Sequence, residues 1–358
     1  MVERVAESAG VVSLRLAAAD GTPLPAASPG QFLTVRLHPL DGRPDVTRTY
    51  SLSGRPGAAD YRISVKREPH GVAGELVHAG TAVGATLEVA APRGTFTLEP
   101  GDRPVLLISA GIGVTPLLAM LHALADAAPS GGLAGSAGSA GGSARQVWWL
   151  HGARDGGEHP FAVEAAALLA RLPDTRVAIC FSAPSPGDRV GADYTRRGRL
   201  SADVLADLHL PADADAYVCG PASFMADVRG ALIASGLAAG RIRSEAFGAG
   251  PALTPGIVAE GGRAPHPPSG PSGTGPAVTF ARSGLTVNWR PADTALLDLA
   301  EACDVPVRWS CRTGVCHNCE TALLDGAVAY APPPLDPPAT GNVLLCCAAP
   351  SSDVVLDL

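Results

Sequence analysis

Three cysteines near the end of the chain have a spacing that could hold an inorganic cluster. Cys311, Cys316 and Cys319 follow the pattern C-x4-C-x2-C in a chain that has eight cysteines. Plant-type [2Fe-2S] centres have this spacing and take a fourth thiolate from further along the chain. Cys346 and Cys347 are the candidates for that fourth ligand.

Two other metal sites use the same residue types. A structural zinc site usually has closely spaced ligand pairs on both sides, whereas the second half here offers adjacent cysteines. A Rieske centre replaces two cysteines by histidines, and His317 lies inside the loop. Because the loop cysteines already satisfy the plant-type spacing, we expect His317 to be a solvent-facing loop residue.

A glycine-rich turn could bind a dinucleotide. In "AGIGVTP" (110–116), Gly111 and Gly113 fall between an apolar run and a helical pattern. Without side chains, such a turn lets a pyrophosphate approach the positive end of the helix. A second segment, "YVCGPASFM" (217–225), ends another apolar run, where open α/β sheets bind ligands.

The elements that position these residues change along the chain. Residues 11 to 100 contain six short alternating segments separated by turn residues, which predict a small antiparallel barrel. From residue 101, apolar runs alternate with helical stretches, as in a parallel sheet with crossover helices. The Gly/Pro-rich segment 249–276 is predicted to be a flexible linker, and 130–144 a flexible loop. After the linker come a predicted hairpin, a helix and the cysteine loop.

The charge and hydropathy exclude several classes of function. The net charge is -7 and no Lys/Arg cluster occurs, which argues against binding nucleic acid. The first ten residues lack a secretion pattern, and no run of 18 apolar residues could cross a membrane. We therefore expect a cytoplasmic protein, away from membranes and monomeric.

Together these motifs resemble the ferredoxin-NADP reductase superfamily, in the domain order of oxygenase reductases related to phthalate dioxygenase reductase. The resemblance implies a multidomain protein. Its parts are an antiparallel β-barrel flavin domain (1–100), an α/β parallel-sheet nucleotide domain (101–248), the linker, and an α+β (β-grasp) ferredoxin domain (277–358).

The resemblance also implies roles for individual residues. "RTYS" (48–51) matches the flavin motif of the superfamily, whose arginine meets phosphate and whose tyrosine packs on the isoalloxazine. "ISVKREPHGVAGELVH" (63–78) resembles the second flavin segment, although the family usually has a serine where this chain has Gly74. The implied cofactor-binding residues are Arg48, Thr49, Tyr50, Ser51, Val65, Lys66, Gly71, Val72, Ala73, Gly74, Gly111, Gly113, Thr115, Pro116, Cys219, Gly220 and Pro221.

Three residues are implied at the contact between flavin and nicotinamide, namely Ser51, Cys219 and Glu245. Thr115 would lie beside the carboxamide, and His151 and Arg154 near the adenosine. For the metal, the position of the family's last cysteine relative to a proline selects Cys347, before Pro350, to complete the set with Cys311, Cys316 and Cys319.

The implied function is an electron relay. NAD(P)H would give a hydride to flavin, and single electrons would pass through the [2Fe-2S] cluster to an external oxygenase or haem monooxygenase component. FAD is expected, with FMN as the alternative. NADH is favoured over NADPH, because Arg189 is the nearest following cation to Ser182 and lies seven residues away. The alternatives are a redox-sensing module and a flavin reductase or diaphorase.

Overall fold

The chain folds into two compact units, Met1–Phe247 and Gly248–Leu358. The structure is a computed structural model. It describes residues 1–39, 45–69, 71–128, 145–247, 264–290, 293–309, 312, 314–315 and 317–358. Within these ranges no helix combines the length and the apolar character needed to cross a bilayer. The loop predicted at 130–144 lies outside the described residues.

In its described residues the first unit has three sheets and five α-helices. Its strands are β1 Glu3–Ser8, β2 Val11–Leu16, β3 Phe32–Leu37, β4 Val46–Ser51, β5 Tyr61–Lys66, β6 Glu88–Val89, β7 Val105–Ala110, β8 Val147–Ala153, β9 Thr175–Phe181, β10 Arg196–Arg197, β11 Asp215–Gly220 and β12 Ile242–Ala246. Its helices are α1 Val72–Gly80, α2 Val114–Ala127, α3 Ala162–Leu169, α4 Ala202–Asp207 and α5 Ala222–Ala234.

The first hundred residues form two three-stranded antiparallel sheets around one apolar core. Their strand orders are β1-β2-β5 and β4-β3-β6. Alternating residues such as Leu14, Leu33 and Ile63 point inward and are fully buried, as the period of two predicts. The prediction of a strand at "GTFTLEP" is wrong, because residues 94–100 form none, whereas β1 was not predicted.

The rest of the first unit is a six-stranded parallel sheet in the order β10-β9-β8-β7-β11-β12. Successive side chains of β7 pack on opposite faces of the sheet. Leu107 packs with α2 and α3 on one face, and Leu106 packs with α4 and α5 on the other. Burial on both faces explains why these strands read as continuous apolar runs. The α/β prediction is confirmed, and both parts of the unit pack into one compact body.

The second unit is α+β. Its elements are β13 Ala277–Phe280, β14 Leu285–Asn288, α6 Leu296–Ala302, β15 Glu320–Asp325, β16 Val328–Tyr330, β17 Asn342–Leu344, β18 Ala348–Pro350 and β19 Val354–Leu356. The main sheet has the order β14-β13-β19-β15-β17, and β16 pairs with β18. The hairpin β13–β14 pairs antiparallel, β13 and β19 pair parallel, and α6 packs on the apolar core.

The end of the predicted linker contacts the second unit. The His266 N–H donates to the Cys303 carbonyl at 2.9 Å, and His266 Nε2 lies 2.7 Å from Asp304 Oδ2. A Cβ on Gly273 would lie 2.2 Å from the Trp289 carbonyl oxygen, so only glycine fits there. Residues 264–276 therefore include positions packed on this unit. The flexible linker over 249–276 stays a prediction, with 249–263 outside the described residues.

Candidate active site and cluster loop

The glycine turn packs directly against the end of β11. A Cβ on Gly113 would lie 2.2 Å from the Cys219 carbonyl oxygen, and Gly111 has a φ of +55°. Glycine is therefore required at 113 for close approach and favoured at 111 for its left-handed backbone. A Cβ on Gly220 would in turn lie 3.2 Å from the Ala110 amide nitrogen. The two predicted nucleotide segments form one surface at the carboxyl ends of β7 and β11.

Glu245 is brought beside this surface by pairing between strands. It lies on β12 in register with Cys219 on β11, and its Oε2 accepts a hydrogen bond from Ser51 Oγ at 3.2 Å. Ser51 ends β4, so this contact joins the antiparallel part of the unit to the parallel sheet. The structure thus brings together the three residues predicted at the flavin–nicotinamide contact.

The electrostatics of this cluster keep its acidic groups protonated. Burial raises the pKa of Glu245 to about 8, and the hydrogen bond from Ser51 lowers it by less. Burial first, and the Glu245 carboxylate second, raise the pKa of the Cys219 thiol well above its ordinary value. Cys219 is fully buried. At neutral pH the cluster therefore consists of a hydroxyl, a carboxylic acid and a thiol, without net charge.

The predicted flavin strand β4 presents polar groups to solvent. Arg48 and Thr49 are exposed, Tyr50 is half-buried, and burial raises the pKa of Tyr50 to about 12. Arg48 Nη1 donates to the Thr47 carbonyl at 2.8 Å, which leaves other guanidinium N–H groups able to donate. An exposed arginine and a tyrosine face on one strand fit a phosphate and an aromatic ring.

The second predicted flavin segment ends in the amino terminus of α1. Gly71 is the N-cap of this nine-residue helix, and within the described ranges no side chain caps the first turn. Backbone N–H groups there suit a phosphate. A Cβ on Gly74 would lie 3.0 Å from the Lys66 carbonyl oxygen, which gives a steric reason for glycine instead of the family's serine. These groups fit the phosphate end of a flavin.

Several predicted binding residues are buried in ways that limit their roles. Val65 is 1% exposed with its side chain in the core, and Ala73 is also buried, so each could meet a cofactor only through its backbone. Thr115 Oγ1 donates to the Ile112 carbonyl at 3.0 Å, and Pro116 is buried in α2. Lys66 Nζ lies 2.9 Å from Glu68 Oε1. Val72 is half-buried and Pro221 is exposed. Their cofactor contacts stay predictions.

Arg154, which was predicted near the adenosine, lies where β8 and β9 end. The Ala183 N–H donates to the Arg154 carbonyl at 2.8 Å, so Arg154 lies beside the segment that follows Ser182. Its side chain is exposed. Arg189, by contrast, is bound by Asp193 at 3.1 Å. The parallel register of β8 and β9 is the signal that could have indicated Arg154 as a cation near Ser182.

The histidine predicted near the adenosine is part of a buried stack. His151 Nδ1 lies 2.8 Å from Ser109 Oγ, and its ring stacks on His159 at 4.8 Å. Burial lowers the pKa of both imidazoles, that of His159 to about 4. Both rings are therefore neutral at pH 7. His151 has no exposed surface, so its side chain packs inside the fold near the carboxyl end of β8.

In the cluster loop, Gly314 lies against both candidate fourth ligands. The Gly314 N–H donates to Cys346 Sγ at 3.3 Å, and a Cβ on Gly314 would lie 2.7 Å from Cys347 Sγ. Cys319 is 3% exposed, and Cys311 and Cys316 lie outside the described residues. Thiol sulfurs gathered at a glycine with a φ of +70° fit an iron–sulfur cluster.

Two charged residues of the loop are held by carboxylates. Arg312 pairs with Glu301 at 2.5 Å, and its guanidinium lies 3.8 Å from the centre of the Trp309 ring. His317 Nδ1 lies 2.6 Å from Glu320 Oε2, and its side chain is 29% exposed. The expectation that His317 faces solvent is therefore only partly met, because Glu320 holds the ring.

One group of residues was not anticipated from the sequence. Arg62 of β5 forms an ion pair with Glu164 of α3 at 2.8 Å, and His122 of α2 lies 2.7 Å from the same carboxylate. Burial raises the pKa of Glu164, but the hydrogen bonds from His122 and Arg62 outweigh it and lower the pKa to about 2. This group connects the antiparallel part of the unit to helices α2 and α3. Its three residues are far apart in sequence, so no local motif predicts the group.

Family models match two parts of the chain. An oxidoreductase NAD-binding domain matches residues 107–230, and a 2Fe-2S iron-sulfur cluster binding domain matches residues 278–351. The flavohemoprotein of Chromobacterium violaceum is 41% identical over 253 residues, which cover 68% of this chain and 59% of that protein. The chain thus spans about three fifths of the length of the curated relatives it matches.

Solved structures extend the likeness. The flavohem-like FAD/NAD binding domain of nitric oxide dioxygenase from Vibrio cholerae is 34% identical with a TM-score of 0.59, covering 69% of this chain and 96% of that one. Phthalate dioxygenase reductase shares the fold over 100% of this chain and 96% of its own, at 24% identity and a TM-score of 0.55. The chain therefore belongs to the ferredoxin-NADP reductase superfamily, with an oxidoreductase NAD-binding domain and a C-terminal 2Fe-2S iron-sulfur cluster binding domain.

Proposed function

We propose that this chain takes two electrons from NAD(P)H and delivers them singly, through FAD and a [2Fe-2S] cluster, to an external oxygenase-type acceptor. When bound, the flavin exchanges two electrons with the nicotinamide and one with the cluster. The observation that carries the proposal is the Ser51–Glu245 contact beside Cys219, at the junction of the flavin strand and the nucleotide sheet.

The chain's own residues orient the two ring systems. At the glycine turn, Gly111 leaves open space for the nucleotide, and Gly113 holds the turn against the end of β11. Arg48 and the first turn of α1 supply donors for the flavin phosphate, and Tyr50 supplies a ring face. Since Glu245 is protonated at pH 7, its carboxyl O–H can donate a hydrogen bond without placing a charge beside the reacting rings.

For the cluster we propose Cys311, Cys316, Cys319 and, as the resting fourth ligand, Cys346. The sequence prediction of Cys347 stays untested. The Gly314 N–H donates to Cys346 Sγ, the type of hydrogen bond that ligand sulfurs receive, whereas Cys347 Sγ is placed to donate to the Leu344 carbonyl at 3.7 Å. The second contact suits a protonated thiol.

The acceptor is proposed to be an oxygenase or haem monooxygenase component. Support comes from the fold shared with phthalate dioxygenase reductase and with a self-sufficient cytochrome P450 monooxygenase, which matches over 100% of this chain at 24% identity and a TM-score of 0.56. A tethered one-electron carrier suits an acceptor that takes electrons singly. The curated relatives are called flavohemoproteins, a name that refers to haem. The proposal therefore includes a haem protein as acceptor.

Anaerobic stopped-flow absorbance tests the relay. The full chain loaded with FAD and cluster is mixed with NADH and, separately, NADPH, while flavin and cluster bands are followed together. We expect flavin bleaching followed by cluster reduction, and the coenzyme that bleaches the flavin faster is the preferred donor. The control is Cys319→Ala, which should bleach its flavin at the wild-type rate without the second phase. Flavin bleaching with an oxidised wild-type cluster would instead support a diaphorase or a redox sensor.

A further inference from the structure

The geometry points to Cys347 as a reserve cluster ligand, a second thiol that takes the fourth position when Cys346 is lost or modified. This inference rests on the proposed function, because it presumes that the loop holds a [2Fe-2S] cluster. It adds to that function a ligand set of five cysteines for four positions.

The two thiols are brought to one place by the local backbone. Leu345–Cys347 forms a single 3-10 turn between β17 and β18. In such a turn successive side chains are about 120° apart, whereas in a strand they would point to opposite faces. Adjacent cysteines in a turn can therefore lie along the same loop, as two neighbours in a strand could not.

Both sulfurs lie against the same residue of that loop. Cys346 Sγ accepts the Gly314 N–H at 3.3 Å, and Cys347 Sγ would be 2.7 Å from a Cβ on Gly314. Gly314 stands between Cys311 and Cys316 in the sequence, so the loop that supplies two ligands meets both candidate thiols. Because Gly314 has no side chain, Cys347 Sγ can lie close to the backbone at this position.

Burial and neighbouring groups agree with this placement. Cys346 and Cys347 are 8% and 2% exposed, so both sulfurs are shielded from solvent. The neighbouring backbone holds the second thiol in place, because the Ala331 N–H donates to the Cys347 carbonyl at 2.9 Å.

The exchange would substitute one sulfur ligand for another. The Cys347 thiol would lose its proton and its thiolate would bind iron, while the bond to Cys346 breaks. That proton would go to the departing Cys346 sulfur, or to solvent where Cys346 has been modified and leaves as a thioether. No electron is transferred, so no oxidant or reductant is needed. Because thiolate identity and hydrogen bonds to sulfur set the potential, the two ligand sets should differ spectroscopically.

Cluster content in cysteine variants of the full chain tests the inference. Wild type, Cys346→Ala, Cys347→Ala and the double variant are reconstituted anaerobically, with Cys303→Ala as a control in another buried thiol of the same core. Alanine is used because a serine oxygen could itself bind iron. Iron, acid-labile sulfide and the electron paramagnetic resonance spectrum of the reduced protein are measured.

We expect Cys346→Ala to keep more than about half of the wild-type iron with a shifted spectrum, and Cys347→Ala to keep both iron and spectrum. The double variant should hold almost none. The inference is overturned if Cys346→Ala is as empty as the double variant while its far-ultraviolet circular dichroism matches wild type. It is equally overturned if Cys347→Ala alone loses the cluster. Wild type that binds no cluster would instead refute the proposed function.

A second measurement does not depend on folding of Cys346→Ala. Loaded wild type and Cys347→Ala are exposed to an iron chelator, and cluster absorbance is followed with time. A reserve thiol should slow the wild-type loss by about threefold or more, since a ligand that leaves the iron can be replaced before the iron is extracted. Equal rates in the two proteins overturn the inference.

Discussion

Ser51 at the end of β4 donates a hydrogen bond to Glu245 on β12, across 3.2 Å and 194 residues of sequence. Burial of Glu245 sets the protonation of the site, and the hydrogen bond from Ser51 opposes it in part. Removing Ser51 removes the one neighbour that lowers the pKa of Glu245, so burial acts alone on the carboxyl. We infer that the pair holds a neutral acid where flavin and nicotinamide would meet.

Glu245→Gln should make stability less dependent on pH. A carboxyl whose pKa rises from 4.5 in the unfolded chain to about 8 in the fold binds more protons when folded. Its contribution is therefore full below about pH 4.5 and is lost as the pH rises through 8. Denaturant midpoints for flavin release should fall between pH 6 and 9 in wild type and stay level in the variant. Parallel curves would contradict the raised pKa.

Glu164→Gln should have the opposite signature. The pKa of Glu164 falls from 4.5 to about 2, so its stabilising effect is present above pH 4.5 and disappears as the pH falls through 2. Acid unfolding of wild type and variant should diverge above pH 4 and converge near pH 2. The exposed pair Arg189–Asp193 supplies the control, because Asp193→Asn should change the curve little.

Gly113→Ala should be much more damaging than Gly111→Ala. At 113 the new methyl group would overlap the Cys219 carbonyl, and no flexible side chain can give way. At 111 the space is open, so the cost is the left-handed backbone alone, about 1 kcal/mol. We expect at least about 2 kcal/mol for Gly113→Ala by denaturant unfolding, as for other overpacked sites. Equal losses would show that the turn can move away from β11.

Arg312→Leu should weaken the hold on the cluster. The guanidinium stacks on Trp309 and pairs with Glu301, fixing the backbone next to Cys311. Without it, extraction of iron by a chelator should speed up by about threefold or more, and Arg312→Lys should restore only part, since ammonium lacks the planar fork. Arg282→Leu, on an exposed arginine paired with Asp357, is the matched control.

Asp193→Ala should improve the use of NADPH. Asp193 holds Arg189, and release of that guanidinium would provide a partner for a 2'-phosphate near the end of β9. The KM for NADPH should fall several-fold while that for NADH stays unchanged. Asp207→Ala, which frees Arg196 from a similar pair, is the control. A parallel change for both coenzymes would argue against a role in discrimination.

The sequence by itself determined the order of domains, the α/β alternation, the cysteine loop and the glycine turn. These features are local: a period of two or 3.6, a fixed ligand spacing, or a glycine between strand and helix is visible in a short window. The residues predicted at the flavin–nicotinamide contact were also named from contiguous motifs, through the family resemblance.

Only the tertiary structure decided which groups act on one another. The raised pKa of Glu245, the Arg62–Glu164–His122 group and the nearness of Arg154 to Ala183 depend on strand register and burial. The same holds for Cys346 and Cys347, which are equivalent as neighbours in sequence. The 3-10 turn and the close approach of Gly314 distinguish them, because they give one sulfur an N–H donor and the other a carbonyl acceptor.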